Sequence, residues 1–297
     1  MPHLQEMTTS EIQLGDIQDM ICCGSCKETG IWWMVCGDGH GEGLVVTKAR
    51  KYNWGALGEL PSLDIQTIIA PFIDEVTRTS SYDDGMTCSI IRGRTESTSR
   101  KTLVEVAWIG DSEIIIGQTS GPNHGTIFSN KGYKLHVNHQ DKVTFEETCN
   151  FEIVDDTLCR ALRDRFYIFP TGKTFEPPVK INMTGALGHK GVTTHPLFQK
   201  CFELDCNETF IIRVATDGLW QMLHRGDIND VLNPNITSQD LAQIAETRWK
   251  RTDWNYDPNY EGTPIYMMKP VSNNAGTPDA DDIAVGTIVI YPQPTKL

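Results

Sequence analysis

The stretch Ile31-Trp-Trp-Met-Val-Cys36, running into Gly37-Asp-Gly-His-Gly-Glu-Gly43, constrains this chain more than any other. Five apolar residues and a cysteine in unbroken succession fit a strand covered on both faces, since a half-exposed strand would alternate. The turn that follows holds four glycines around Asp38 and His40. Glycine lets main-chain carbonyls approach a ligand closely. Asp38 and the Gly39 carbonyl are therefore suited to meet a hard cation, while His40 stays free to move a proton. Taken alone, the segment also reads as a glycine-rich hairpin with a solvated Asp and His.

With 297 residues, 39% apolar and 22% charged, the chain can bury a sizeable core. Its net charge of -13 argues against nucleic acid or an anionic membrane as partner, because both attract basic patches. The positive charge for an anionic substrate would have to come from something else, such as metal. No apolar run approaches the ~20 residues of a membrane helix. Nine cysteines without regular spacing, and no charged-then-apolar leader, fit a cytoplasmic or other intracellular setting. Cys23-Gly-Ser-Cys26 has the spacing of half a zinc site or a redox pair. With no second such pair, it reads as a hairpin turn carrying ordinary thiols.

Residues 1–10 are polar and expected to be loose. Alternation from Ile12 predicts a strand reaching Asp19, and helices are expected over 44–52 and 63–79. Strands are expected over 86–92, 102–109 and 113–117, the last two joined by the Gly110-Asp-Ser112 turn. Residues 155–165 look helical, 208–217 is an apolar strand ending at Asp217, and helices are expected over 219–223, 228–232 and 238–249. Residues 251–279 read as one long loop, ahead of a closing strand over 283–291. Trp32, Trp33, Trp108 and Trp220 are expected in the core or cleft wall.

Four places repeat one pattern: an apolar strand that stops or starts beside an aspartate. These are Asp38, Asp111, Asp217 and Asp281, with Asp19 a fifth on the first strand. One such Asp is a common turn residue, but several converging from a stiff sheet repel one another unless a cation lies between them. Two metals sharing a carboxylate could activate a water and hold a phosphoryl oxygen.

Gly37-Asp-Gly-His-Gly41, Gly110-Asp-Ser112, Met183-Thr-Gly-Ala-Leu-Gly188, Phe210-Ile-Ile-Arg-Val-Ala-Thr-Asp-Gly-Leu-Trp220 and Asp281-Asp-Ile-Ala-Val285 stand in one order. In that order they resemble the metal-dependent protein serine/threonine phosphatases, the protein phosphatase 2C type. The resemblance implies an α+β fold, a four-layer αββα sandwich of two stacked antiparallel sheets flanked by helices. It implies one phosphatase-like domain over residues 1–297, with a core of about 12–291 and a flap-like segment of about 189–208. It also implies two ions, Mg²⁺ or Mn²⁺. Asp38 resembles the carboxylate that bridges both and Gly39 the carbonyl ligand of the second, while Asp217 and Asp281 resemble the remaining ligands of the first. Asp19 resembles the acid holding metal-bound water, and Asp111 the acid of a third, weaker ion. His40 resembles the general acid. The implied activity is hydrolysis of phosphoserine and phosphothreonine by a metal-bridging water, on phosphoprotein substrates, by a monomer.

The chain also departs from the family. Leu14 stands where an arginine usually clamps the phosphate, Gln18 where many members have Glu, Gly185 for a frequent Arg, His189 for a frequent Asp, and Gln221 for a further acid. Lys48, Arg50 or Lys51 could replace the clamp, or be solvated charges on a helix. His189 and His195 fall in the flap-like segment, where they could touch substrate or simply be solvated. These departures leave an alternative: a pseudophosphatase that binds phosphoproteins or a signalling partner without turnover.

Overall fold

Strand β1 (Gln5–Ile12) pairs antiparallel along its whole length with β18 (Ile283–Ile290), so the two ends of the sequence are neighbours in one sheet. The computed structural model describes residues 5–14, 18–81, 83–96, 101–119, 124–130, 151–154, 157–162, 165–170, 179–181, 185–191, 197–205, 207–223, 227–250, 254–256, 268–270 and 280–292. The segments between 151 and 181 and between 254 and 270 are described as backbone only.

The first sheet has five strands in the order β1-β18-β15-β7-β8, the others being β7 (Glu113–Gln118), β8 (Gly125–Ser129) and β15 (Phe210–Ala215). The second has seven: β2 (Asp19–Cys26), β3 (Ile31–His40), β4 (Gly85–Met86), β5 (Cys88–Glu96), β6 (Lys101–Ile109), β13 (Leu187–Gly188) and β14 (Phe198–Asp205). Every pairing in both is antiparallel. Helices α1 (Leu44–Ala49), α2 (Ala56–Glu59) and α3 (Ile65–Thr79) pack on the second sheet. Helices α4 (Asp217–Trp220), α5 (Ile228–Val231) and α6 (Ser238–Trp249) pack on the first. This is the expected αββα sandwich.

The layering explains the unbroken apolar runs. Along β3, Trp32, Met34 and Cys36 point between the sheets, where they meet Val106, Trp108, Ile212, Val214 and Ile288. Their neighbours Trp33 and Val35 point the other way, toward Ile69, Phe72 and Val76 of α3. Ile211, Val285 and Val289 similarly face Leu241, Ala242 and Ala245 of α6. Both faces of each central strand are dry, so the period-2 alternation of a half-exposed strand disappears. Helix α6 starts at a capping box, with the Thr237 hydroxyl and the Asp240 carboxylate each bound to the other's main-chain N–H. The four tryptophans expected inside are buried.

Several local expectations are corrected. The polar residues from Gln5 are strand rather than loose, because β18 supplies the ladder that composition alone does not reveal. Asp19 begins β2 instead of ending a strand from Ile12. Residues 155–165, expected to be helical, contribute to β10 (Thr157–Leu162) and β11 (Arg165–Pro170). With β9 (Phe151–Val154) and β12 (Val179–Ile181) these form a separate four-stranded sheet, since cross-strand pairing overrides helical periodicity. Within 251–279 a short pair, β16 (Trp254–Tyr256) and β17 (Met268–Pro270), stands where only loop was expected. Cys23 and Cys26 lie three apart on β2 and so on opposite faces, with Cys22 and Cys23 packed against different core layers. Among the described residues no helix is long and apolar enough to cross a membrane.

Candidate active site

Strand register brings the first two acids together: Asp19 at the start of β2 pairs directly with Asp38 near the end of β3. β15 and β18 pair in the other sheet, so that Asp217, just after β15, and Asp281, just before β18, come to the same end of the sandwich. Asp19 is buried at 6% exposure, Asp38, Asp217 and Asp281 are half-buried, and Asp111 is exposed.

The four inner carboxyls all titrate above the ordinary value of 3.8. Burial is the largest cause in each case, because water no longer solvates the charged form. For Asp38 the charges of Asp19, Asp281 and Asp111 add to the shift, and for Asp217 those of Asp38, Asp281 and Asp111. For Asp19 the Thr216 hydroxyl partly offsets burial, before Asp281, Asp217 and Asp282 push upward again. A side-chain hydrogen bond between Asp217 and Asp281 raises the former further and reduces the rise of the latter, as does the Asp282 N–H. No lysine or arginine among the described residues is a principal influence on any of the four. An oxygen-rich, like-charged and dehydrated donor set fits a divalent cation, which would relieve the repulsion among them. As the side chains stand, no three His, Cys, Asp or Glu among the described residues close on one point at ion-binding spacing. They turn instead to protein partners: Asp19 Oδ2 accepts from the Thr216 hydroxyl at 2.6 Å and Asp217 Oδ2 from the Gln221 amide at 2.6 Å.

The site is stitched by hydrogen bonds from groups outside the acid set. Asp282 is 3% exposed and accepts from the main-chain N–H groups of Leu14 and Gln18, both at 2.8 Å, fixing the segment that leads into β2. The Gln18 carbonyl accepts from Gly39 N–H at 2.9 Å, and its side-chain amide donates to the Gly41 carbonyl at 2.7 Å. A Cβ on Gly39 would lie 2.3 Å from Val46 Cγ2 and 2.7 Å from the Gln18 carbonyl oxygen, so this position admits only glycine. The Thr87 hydroxyl accepts from Asp38 N–H at 3.0 Å and bonds to the Ser112 hydroxyl at 2.6 Å, tying the Asp111 turn to the Asp38 strand. Thr87, Ser112 and Thr216 look in sequence like ordinary strand-end hydroxyls. Only their place between two aspartates distinguishes them.

Leu14 packs part-buried against the core beneath α6 and offers the site nothing but its N–H. Arg50 donates to Glu11, at 3.3 Å, and to the main-chain carbonyl of Asp19, while Lys48 bonds to Glu75 and Thr79 of α3. His40, at the end of β3, has its charged form disfavoured by burial first and by His189 second, which lowers its pKa to about 3. His189 is not solvated: it is fully buried, stacked on His40 with ring centroids 4.7 Å apart and Nε2 atoms at 2.5 Å. A carboxylate at that position would support an imidazolium, whereas a second imidazole does the reverse. His195 lies outside the described residues.

No protein-family model matches the sequence, and no curated protein matches it. Among solved structures, the catalytic domain of the serine/threonine protein phosphatase PstP, in complex with two manganese ions, aligns at TM-score 0.51 and 11% identity. The alignment covers 96% of this chain and 98% of that one. The PPM Ser-Thr phosphatase MsPP from Mycobacterium smegmatis, in complex with cacodylate, aligns at TM-score 0.50 and 13% identity, over 97% and 98% of the two chains. The chain thus has the fold of the PPM-type Ser/Thr phosphatases.

Proposed function

We propose that the protein is a divalent-metal-dependent phosphatase acting on phosphoserine and phosphothreonine in proteins. The observation that carries the reading is the gathering of Asp19, Asp38, Asp217 and Asp281 at one end of the sandwich, where burial and mutual repulsion disfavour their charged forms. Asp38, Asp217 and Asp281 are the residues that would hold one ion, and Asp38 with the Gly39 carbonyl a second. Asp19 would orient solvent around them, and Asp111 would serve a third, weaker ion. Mg²⁺ or Mn²⁺ suits an all-oxygen donor set. When bound, such ions supply positive charge to phosphoryl oxygens and lower the pKa of water.

The chain's own groups do the remaining work. Paired strands hold the acids at fixed separation, and the hydrogen bonds of Asp282, Thr216 and Thr87 keep the segments from spreading apart. His40 is the proton donor for the leaving serine or threonine oxygen. Its charged form is disfavoured by burial and by His189, and a phosphate dianion beside it would offset that cost. The two solved structures of similar fold are Ser/Thr phosphatases by name, one with manganese, which accords with this assignment. With Mn²⁺, purified protein should release phosphate from a phosphothreonine peptide, and EDTA or Asp217→Asn should abolish release. Equal release in EDTA would discard the proposal.

One observation favours a second reading, a pseudophosphatase that binds phosphoproteins or a signalling partner. Leu14 packs part-buried against the core, and Lys48 and Arg50 are each bonded to other groups of the protein rather than poised as a phosphate clamp. Tight phosphopeptide binding by calorimetry, with no hydrolysis in Mn²⁺, would select this reading.

A further inference from the structure

We propose that the protein pairs with a second copy of itself through β14, the two seven-stranded sheets joining edge to edge about a twofold axis at Cys201. The proposal is independent of the phosphatase reading, whose family resemblance implies a monomer. β14 (Phe198–Asp205) is paired along its whole length with β6 and ends the sheet, with no strand beyond it among the described residues. Such an edge presents a row of main-chain donors and acceptors, and proteins blunt it with proline, bulges, short length or lysine. The other edge of this sheet is blunted by side chains: Ile21 N–H of β2 donates to Glu11 at 2.8 Å, and the Asp19 carbonyl accepts from Arg50. β14 is eight residues long, has no proline or glycine and keeps an unbroken register. Its one lysine, Lys200, lies over the rings of Phe128 and Phe202, 5.1 and 5.4 Å from their centroids, so its charge is drawn back over the sandwich.

A second copy suits this edge because the strand is complementary to itself. Antiparallel strands related by a twofold keep like faces together, so each residue meets one whose number has the same parity. Toward the inter-sheet core β14 turns Phe198, stacked on Trp108 at 5.8 Å, with Lys200, Phe202 and Leu204. Toward the outer face it turns the exposed Gln199, Cys201 and Glu203, and Gln199 bonds there to Gln66 of α3 at 3.2 Å. Centred on Cys201, the pairing sets Phe198 against the partner's Leu204, Lys200 against the partner's Phe202 and Gln199 against the partner's Glu203. Apolar meets apolar, cation meets ring and amide meets carboxylate. Centring on Lys200 or Glu203 would instead set like charges directly opposite, and centring on Phe202 would set Lys200 against leucine. Phe198, 41% exposed in the single chain, gains an apolar neighbour in the chosen register.

Light scattering should give twice the 33.3 kDa mass of the chain, with or without Mn²⁺. Cys201 is a free, exposed thiol. Across an antiparallel pair its Cα would lie about 4.5–5.5 Å from its own copy, within the reach of a disulfide at about 4.4–6.8 Å. Diamide, which takes two electrons and two protons from a pair of thiols, should therefore yield a reducible dimer on denaturing gels that Cys201→Ser abolishes. Gln199→Glu sets two carboxylates opposite each other at both symmetric contacts and should raise the dimer Kd about fivefold, while Gln199→Lys should lower it by about as much. Gln199 is exposed, so neither change threatens the fold. A monomer at every concentration would overturn the proposal and leave the edge to some other protein. So would a dimer whose Kd does not move in opposite directions with the two variants. Should a variant misfold, mass spectrometry of the wild-type cross-link decides: Cys201 joined to Cys201 supports the pairing, and cross-links through other cysteines alone overturn it.

Discussion

The carboxylate half of the site and its histidine half are built by opposite means. The acids arrive on regular structure: Asp19 and Asp38 face each other across a ladder, and Asp217 and Asp281 flank paired strands of the other sheet. Their backbone is unstrained and the cost is electrostatic, borne by carboxyls driven to hold protons. The histidines meet the other way. His189 reaches His40 from a turn of left-handed residues, so the cost is conformational. A cluster of like charges is completed from outside, by a cation. A histidine pair completes itself, and needs only a backbone held in place.

The largest test of this contrast is removal of the shared acid. Asp38→Asn should lower Mn²⁺-dependent phosphate release by about 10³-fold, comparable to deleting a principal electrostatic group in other active sites. The same change should raise thermal stability in EDTA at neutral pH, because one repelling charge is gone. A drop in EDTA stability would show that Asp38 is structural.

Next comes pH. The four carboxyls titrate above 3.8 in the folded chain, so between 3.8 and their raised values the folded state binds more protons than the unfolded one. Their contribution is fully present below 3.8 and is lost as pH rises through the folded values. Calorimetry in EDTA should show Tm falling from pH 5 to pH 8, at about 2–4 °C per kcal/mol lost, with Mn²⁺ flattening the slope. A Tm that rises with pH in EDTA would contradict the burial of these acids.

Thr216→Val probes the support of the carboxylate half, since this hydroxyl donates to Asp19 and accepts from Ala284 N–H at 3.0 Å. Mn²⁺ affinity should weaken about 10–100-fold, as for other partners of ligating groups. On the histidine side, Gly85→Ala should cut phosphothreonine turnover about tenfold while leaving Mn²⁺ affinity in place, measured by titration calorimetry. Loss of both together would mean the halves are not separable. The smallest effect is expected at Cys26→Ser. This thiol donates to the exposed Glu28, at 3.1 Å, so stability should change by no more than ~0.5 kcal/mol and activity not at all.

The two halves also differ in how far they could be read in advance. Asp38, Asp217 and Asp281 could be found because each ends or begins an apolar run, and strand ends in stacked sheets have few places to go. Asp111 was found in the same way, though it stays exposed at the rim. In sequence His189 stays open between touching substrate and being solvated, since nothing local marks a histidine that will be buried 149 positions from its partner. Asp282 was hidden beside Asp281: adjacent residues point in opposite directions, one toward the acids and the other to the N–H groups of Leu14 and Gln18. The first strand was misjudged because its polar residues are held by ladder bonds to β18, across the length of the chain.

By itself the amino-acid sequence determined the central strands and which acids stand at their ends, because continuous apolar runs admit no wet face and turn residues sit where such runs stop, while the sandwich was legible only through the family that those motifs resemble. Only the tertiary structure decided which groups face those acids and which imidazole meets His40. Those contacts join segments far apart in sequence, and their geometry follows from strand register and turn conformation, which no local pattern encodes.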